Sequence, residues 1–140
     1  SQEISSIVSK ISSIKEVREF LVKEQRKIGE SGGLVAEGRD IGTTVFPHAE
    51  LKIFLTASID ERAKRRKFDN NCKDSQAIDL DILKELIRKR DFEDSHRAIS
   101  PLIKANDAIE IITDGFSINE VVEKIINLYN ERIPQETQIQ

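Results

Sequence analysis

The sequence predicts an α/β fold in which short parallel strands alternate with amphipathic helices. Residues 34–37, 51–56 and 107–113 each contain a short run of apolar residues, bounded by polar or glycine-containing segments. Runs of this length are typical of buried strands, whereas the segments between them carry apolar residues at helical spacing. Because buried strands that alternate with helices usually pair in parallel, we expect one sheet with helices on both faces.

A helical region precedes the first predicted strand. Ser13 followed by Glu16 forms a capping-box pattern, which indicates the start of a new helix. We therefore expect a short helix that ends near Ile11 and a second that runs from Ile14 to about Ile28. Their apolar residues keep helical spacing and predict one core-facing stripe. The stripe comprises Ile4, Ile7, Val8, Ile11, Ile14, Val17 and Leu21.

Two further capping boxes predict helix starts after the second and third strands. Ser58 with Glu61, and Ser117 with Glu120, have the spacing in which a hydroxyl and a carboxylate satisfy each other's backbone N–H groups. A third apolar pattern predicts a helix over residues 80–93. The predicted buried faces comprise Leu80, Leu83, Leu86 and Ile87 in that helix, and Val121, Val122, Ile125, Ile126 and Tyr129 in the last one.

In two segments the apolar residues follow neither helical nor strand spacing. Residues 69–76 are polar and have a length that suits a mobile lid. Residues 134–140 begin at a proline, and we expect a disordered tail or linker there. The sequence has no internal repeat, so residues 1–133 are predicted to form one domain.

Composition limits the classes of function. The 140 residues, 38% of them hydrophobic, suit one modest core, and the net charge of -3 argues against a nucleic-acid-binding surface. No apolar run is long enough to span a membrane, and no signal pattern is present, so we expect a soluble cytoplasmic protein. Cys72 has no companions, and His48 and His96 are far apart, so no metal site built from protein ligands is visible.

The loop after the first predicted strand concentrates residues suited to binding an anion. Gly38 and Gly42 allow close backbone approaches, while Arg39 and Asp40 place a fork of donors beside an acceptor. In an open parallel sheet, ligands bind at the carboxyl ends of strands. A tight turn with one salt bridge is the alternative interpretation, because a single glycine-containing loop is weak evidence.

Several motifs resemble those of the bacterial cytidylate kinases, in the family's order and close to its spacing. They are EGRDIGT with VFP, LKIFLTAS, ERAKRR, and RKRDFEDSHR with PL. The resemblance extends from residue 1 to about residue 130. It implies the P-loop nucleoside monophosphate kinase fold and transfer of a phosphoryl group from ATP to CMP or dCMP, with Mg²⁺ bridging the ATP phosphates.

The phosphate-binding loop pattern GxxxxGK[ST] does not occur in these 140 residues, and neither does any methionine. In the family, the strand before that loop lies between the strands that match residues 34–37 and 51–56 here. The resemblance therefore implies a sheet with a missing central strand. We expect this chain to be the downstream part of a longer enzyme, inactive alone, with a fused upstream domain as a further expectation.

The resemblance also implies roles in acceptor binding. Arg39 would hold the phosphate of the monophosphate, and Asp40 would accept a hydrogen bond from the cytosine amino group. Ser9 and Arg18 match positions that touch the base, which makes residues 1–28 the remainder of the CMP-binding region. The residues that resemble the group holding the phosphate and sugar are Arg90, Asp94 and Arg97.

Within a lid region of residues 59–79, Arg62, Arg65 and Arg66 resemble the arginines that approach the ATP phosphates as the lid closes and excludes water. Without the family, a solvated charged helix face is the ordinary interpretation of these three residues. A surface ion-pair ladder is the corresponding alternative for the arginines and the aspartate at positions 90, 94 and 97.

Two other functions fit the same residues. One is a non-catalytic module that keeps a nucleotide pocket, which would bind CMP without any ATP-dependent signal. The other is a P-loop kinase for another small acceptor, such as shikimate or a nucleoside, which a comparison of acceptors would reveal. The sequence does not predict the oligomeric state.

Overall fold

Four helices, one π-helical turn and a two-stranded parallel sheet form the elements of the described chain. The computed structural model describes residue 11 and residues 14–69 and 78–133. In chain order the elements are helix α1 (Lys15–Gly29), the π-turn (Ile41–Val45), strand β1 (Ile53–Thr56), helix α2 (Ile59–Phe68), helix α3 (Leu80–His96), strand β2 (Ile109–Ile112) and helix α4 (Ile118–Arg132).

The sheet pairs β1 and β2 in parallel, with Ile53 opposite Ile109. Backbone hydrogen bonds extend the pairing beyond both strand ends: the Ile109 amide donates to the Lys52 carbonyl at 2.9 Å, and the Thr113 amide donates to the Thr56 carbonyl at 2.8 Å. The predicted α/β class, with parallel strands and helices between them, is therefore confirmed, although both strands are shorter than the apolar runs.

The prediction of a strand at residues 34–37 is wrong for this structure. A strand needs a neighbour for its backbone N–H and C=O groups, and the sheet of the described residues contains only β1 and β2. Val35 is 98% exposed, and Leu34 is exposed as well. The segment thus has the composition of a strand without the partner that would make it one.

The core lies between α2 and α3. Leu83 and Ala63 are fully buried, and Ile87 is buried beside them. The predicted stripe on α3 is confirmed at Leu83 and Ile87 but is wrong at Leu86, which is exposed. One ten-residue helix, α2, covers only one side of α3. Partly buried residues packed around this core are Ile59, Ile78 and Leu80.

Helices α1 and α4 bury less of their apolar stripes than the patterns predict. Helix α4 has no buried residue, and Val122, Ile126 and Tyr129 on its predicted inner face are exposed. In α1 the buried residue is Val22, whereas Leu21 on the predicted stripe is exposed. A sheet of two strands is too narrow to cover these stripes.

The helix starts follow the capping predictions in part. At α4 the box is complete: the Ser117 hydroxyl accepts from the Glu120 amide at 3.3 Å, and the Glu120 carboxylate accepts from the Ser117 amide at 2.7 Å. The Ser117 hydroxyl and the Ser117 amide both donate to the Glu120 carboxylate, and these two bonds lower the pKa of Glu120. At α2 the Ser58 hydroxyl accepts from the Glu61 amide at 3.2 Å. At α1 the residue before the helix is Ile14, whose side chain makes no cap hydrogen bond, and the predicted cap Ser13 lies outside the described residues.

Several predictions concern residues outside the described ranges. They are most of the short helix that ends near Ile11, residues 70–76 of the polar segment predicted to suit a lid, and the tail at 134–140. Within the described ranges, no helix is both long enough and apolar enough to cross a membrane.

Candidate functional site

Helix α1 is held against the π-turn along one face. Arg26 Nε donates to the Val45 carbonyl at 2.9 Å, and its Nη2 donates to the Thr44 carbonyl at 2.7 Å. Gly29 lies directly on the Phe46 ring, since a Cβ at Gly29 would be only 2.6 Å from Cε1 of that ring. The guanidinium fork and the absent side chain therefore fix where the helix sits on the loop.

The Arg18–Asp40 ion pair closes the buried end of this interface. Arg18 Nε donates to Asp40 Oδ2 at 3.1 Å, and Arg18 Nη2 donates to the same oxygen. Only 11% of the Arg18 side chain and 6% of the Asp40 side chain are exposed. Both described hydrogen bonds of the Asp40 side chain are at Oδ2. The buried carboxylate is thus held by one arginine of α1.

The π-turn begins immediately after Asp40 and fixes its backbone. The Asp40 carbonyl accepts from the Thr44 amide at 2.8 Å and from the Val45 amide at 3.2 Å. A Cβ at Gly38 would lie 2.7 Å from Cγ1 of Ile41, so the loop needs glycine for this close approach. Single π-helical turns occur often at functional sites. The apolar spacing of the sequence did not predict this one.

Lys52 anchors the far end of the same loop to the sheet. Its buried Nζ donates to the Pro47 carbonyl and to both carboxylate oxygens of Asp107, at 3.0 and 2.8 Å. The hydrogen bond from Lys52 lowers the pKa of Asp107. These contacts tie the loop to the start of β2, so Lys52 supports the site without facing it.

A second buried carboxylate, Asp94 on α3, gathers arginines from two parts of the chain. Arg39 Nη1 donates to Asp94 Oδ2, and Arg90 Nε lies 3.7 Å from the same oxygen. The Asp94 side chain is 4% exposed, whereas Arg39 and Arg90 are 35% and 40% exposed. Because Arg39 comes from the loop after residue 37, the cluster is more than an ion-pair ladder within one helix.

The arginines of α2 have different partners from one another. Arg62 donates to Asp91 through both terminal nitrogens, at 2.9 and 2.6 Å, and through Nε to the Ala57 carbonyl at 3.0 Å. Arg65 donates through Nη2 to the Thr113 carbonyl at 2.6 Å, at the end of β2. Both guanidinium groups are therefore bound to acceptors of the protein.

Arg66 differs, because its Nε is buried and has no hydrogen-bond partner among the described residues. It lines a cavity of about 140 Å³ whose lining includes four arginines and one carboxylate. An excess of guanidinium groups around a small space suits a phosphate group, whose oxygens match the fork of donors. The lining residues are Arg39, Arg62, Arg66, Ile87, Arg90 and Asp91.

The structure brings most of the predicted site residues together. Arg39 and Arg90 belong both to the Asp94 cluster and to the arginine-lined cavity. Arg97 follows the last residue of α3 and donates through Nε to the Ser100 carbonyl. Arg65 does not line the cavity, and Ser9 lies outside the described residues.

Three residues at the site were missed by the sequence analysis. Arg26 lies two turns after Arg18 on the same helical face, and that spacing was the available signal. Asp91 directly follows Arg90 in the RKRDFED run, but the sequence analysis assigned roles only to other charged residues of this region. Ser100 accepts from Arg18 Nε at 3.3 Å, and only the following proline marked it.

The carboxylates of the site do not form a metal centre. Asp40, Asp91 and Asp94 each accept from an arginine. Among residues 11, 14–69 and 78–133, no group of three His, Cys, Asp or Glu side chains is placed to hold a metal ion. The described residues therefore do not fit a protein-built Mg²⁺ site.

Comparison with known proteins identifies relatives of the whole stretch. The chain is 86% identical over 139 residues to the "Bifunctional pantoate ligase/cytidylate kinase" of Prochlorococcus marinus strain MIT 9301, covering 99% of this chain and 27% of that protein. The protein of the same name from strain MIT 9312 is 87% identical with the same coverage. The one from subspecies pastoris is 77% identical over 140 residues, 28% of its length.

The chain thus spans 27–28% of the length of these curated relatives. A protein-family model described as cytidylate kinase matches residues 1–131, which is nearly the full chain. On that match, and on the identity to relatives whose names include this activity, the chain belongs to the cytidylate kinase family.

Proposed function

We propose that this chain is the acceptor-binding and lid portion of an enzyme that transfers the γ-phosphoryl group of ATP to CMP or dCMP, giving CDP or dCDP. The observation that carries the proposal is the cavity lined by Arg39, Arg62, Arg66 and Arg90. The carboxylates that pair with these arginines are Asp91 and Asp94, so positive charge is in excess there. Phosphoryl transfer requires cations around oxygens that share developing negative charge, and arginine forks supply them.

Asp40 accounts for recognition of the base in this proposal. Its Oδ2 is held by Arg18, and its Oδ1 accepts from the exocyclic amino group of cytosine. Uracil presents a carbonyl at that position and would place two acceptors against each other. A buried group left without its partner disfavours the wrong ligand strongly. Ser9 joins the base contacts through the family resemblance alone.

The arginines near Asp94 hold the phosphate and sugar of the acceptor. Asp94 keeps Arg39 and Arg90 close to each other without neutralising both, since it has one charge. Arg97 is oriented by the Ser100 carbonyl at the end of α3. This arrangement positions the attacking phosphate oxygen, and positioning is a large part of catalysis of phosphoryl transfer.

The α2 arginines serve the donor side. ATP supplies the phosphoryl group, and the α2 arginines neutralise charge on its oxygens as the lid closes and water is excluded. Arg66 is ready for this role, because its Nε has no partner among the described residues. Arg62 and Arg65 exchange protein acceptors for phosphate oxygens. Mg²⁺ enters the proposal only as an ion carried on the phosphates, and no step is assigned to it.

We also propose that a segment outside these 140 residues completes the sheet and supplies the phosphate loop. The chain lacks GxxxxGK[ST], and the exposed Leu34 and Val35 belong to a run with strand composition but no partner. A pantoate ligase fused upstream is part of this proposal, supported by the names and lengths of the relatives. A cytoplasmic location goes with it, since both activities use soluble metabolites.

The test is turnover by the full-length protein that contains this chain. It is incubated with ATP and, separately, CMP, dCMP, UMP and AMP, and the nucleotides are separated by chromatography. The proposal predicts CDP and dCDP and much slower formation of UDP. CMP binding without any ATP-dependent product would support a non-catalytic binding module instead, and efficient use of another acceptor alone would support a different kinase.

A further inference from the structure

Ser100 has an unusual backbone conformation next to the acceptor site. Its φ is +50°, and it is the one non-glycine residue of the described chain with a positive φ. Residues with a side chain adopt this region at a cost, and they persist there where surrounding contacts hold them. Pro101 also disfavours the right-handed helical conformation at Ser100. The position is therefore a candidate for function.

The left-handed conformation belongs to a tight reversal after α3. The Leu102 amide donates to the Asp94 carbonyl at 2.8 Å, so the chain folds back onto the helix turn that carries the buried carboxylate. Ser100 lies within this reversal and is itself buried. Contacts with the rest of the protein therefore fix the directions of its side chain and carbonyl.

Two arginines of the proposed acceptor site bind Ser100. Arg18 Nε donates to the Ser100 hydroxyl at 3.3 Å, while also donating to Asp40 Oδ2 at 3.1 Å. Arg97 Nε donates to the Ser100 carbonyl. Arg18 comes from α1 and Arg97 from the end of α3, so Ser100 joins residues from distant parts of the chain.

We propose that Ser100 is a positioning residue for the acceptor nucleotide. Its hydroxyl sets the plane of the Arg18 guanidinium, which holds Asp40 for the base, and its carbonyl sets Arg97 for the phosphate. This inference rests on the proposed function, because it assumes that CMP is the ligand of the site. The contribution of the hydroxyl is the part that substitution can test, because every substitution at this position keeps the carbonyl.

Two substitutions separate the hydroxyl from the backbone. Ser100→Ala removes the hydroxyl and keeps the Cβ that makes the left-handed conformation unfavourable. Ser100→Gly also removes the hydroxyl but relieves that strain, so it should be the more stable variant of the two. If the hydroxyl positions Arg18, both variants lose CMP affinity equally despite their different stabilities. Loss of one hydrogen bond corresponds to about a fivefold rise in Kd.

The experiment measures the Kd for CMP by calorimetry, and Tm by calorimetric unfolding, on the full-length protein and its variants. Ser117→Ala is the control, because it removes a hydroxyl that caps α4 and has no contact with the site. We expect this control to lower Tm and leave the Kd unchanged. Equal rises of about fivefold in the Kd of both Ser100 variants would support the inference.

Two results would overturn it. One is a Kd unchanged in both Ser100 variants, and the other is a Kd that follows Tm, with Ser100→Gly close to the unsubstituted protein. Turnover is measured separately: CMP binding without CDP formation refutes the proposed kinase function, while the Kd comparison still tests Ser100. Failure of the unsubstituted protein to bind CMP overturns both proposals.

Discussion

The acceptor cluster and the lid arginines are built differently. The acceptor cluster, defined as Arg18, Arg39, Asp40 and Asp94, contains two nearly buried carboxylates, 6% and 4% exposed, and joins α1, the loop and α3. The lid arginines, defined as Arg62, Arg65 and Arg66, all lie on α2, and the first two are 36% and 44% exposed.

The difference in burial predicts which side chains are fixed before a ligand binds and which ones change their partners. A buried carboxylate cannot leave its arginine without leaving an uncompensated charge, so the acceptor cluster holds its geometry in the absence of ligand. Arg62 and Arg65 are partly exposed and can exchange one acceptor for another at little cost, whereas Arg66 Nε has no acceptor among the described residues. Under the proposed function, the acceptor cluster would therefore be formed before CMP binds, and the ATP side would be completed by movement of side chains on α2.

The largest expected effect is at Asp40. Asp40→Ala removes the proposed acceptor for the base. It also leaves Arg18 buried without its partner, which should lower the free energy of unfolding by about 3–5 kcal/mol. CMP affinity of the full-length protein should fall by a factor of about 100 or more. Calorimetric titration with CMP measures this affinity. Asp60→Ala is the matched control, since Asp60 is an exposed carboxylate that pairs with Lys84 at 2.7 Å. Unchanged CMP affinity in the Asp40 variant would remove its assigned role.

A substitution among the lid arginines should affect phosphoryl transfer from ATP more than binding of CMP. Arg66→Ala removes a guanidinium that has an unsatisfied donor at the cavity. We expect kcat to fall by about 10- to 100-fold, because a charge near the transferring group is lost, with CMP affinity nearly unchanged. Steady-state kinetics and CMP titration measure the two quantities. Arg88→Lys, at an exposed pair with Glu85, is the control. Equal losses in kcat and CMP affinity would contradict the division into two regions.

Arg26 should affect the acceptor cluster indirectly. Arg26→Lys keeps the charge but loses the planar fork, in which separate nitrogens donate to the Thr44 and Val45 carbonyls. Helix α1, and with it Arg18, would be less firmly placed, and we expect CMP affinity to fall about fivefold with the KM for ATP unchanged. Lys27→Ala removes a neighbouring exposed pair with Glu24 and serves as the control. Equal effects of the two substitutions would show that Arg26 has no positioning role.

The smallest expected effect concerns acid stability. The hydrogen bond from Lys52 holds the pKa of Asp107 below the ordinary value of an aspartate, so the ionised carboxylate stabilises the fold. That contribution is complete above about pH 4 and is lost as pH falls through the lowered pKa. Asp107→Asn should therefore increase hydrogen exchange of peptides containing β1 and β2 at pH 5, and the difference from the unsubstituted protein should shrink near pH 3. A difference independent of pH would contradict this account.

The parts of this fold that the sequence predicted are those decided by local pattern. The capping box at Ser117 and the strand composition of β1 and β2 depend on neighbours within a few residues, and both appear as expected. Residues 34–37 have equally good strand composition, but a strand also needs a partner, which local pattern cannot supply. The same limit applies to Leu86, whose exposure depends on the size of the helix packed against it.

For the site as well, the sequence predicted some features and not others. The motif residues Arg39, Asp40 and Asp94 could be identified from their order in the chain, yet which arginine pairs with which aspartate could not. Asp40 pairs with Arg18, and Asp94 pairs with Arg39, although Arg39 and Asp40 are adjacent in sequence. Ion pairs between distant segments depend on tertiary packing, so only the structure reveals them.

The most direct test of the preformed acceptor cluster is binding of CMP to the full-length protein without ATP, compared with UMP. With Arg18 already holding Asp40 and Arg39 already holding Asp94, CMP should bind in the absence of the donor. UMP, which lacks the amino group for Asp40, should bind at least about tenfold more weakly. Equal affinities for CMP and UMP, or CMP binding that appears only after ATP is added, would contradict the account.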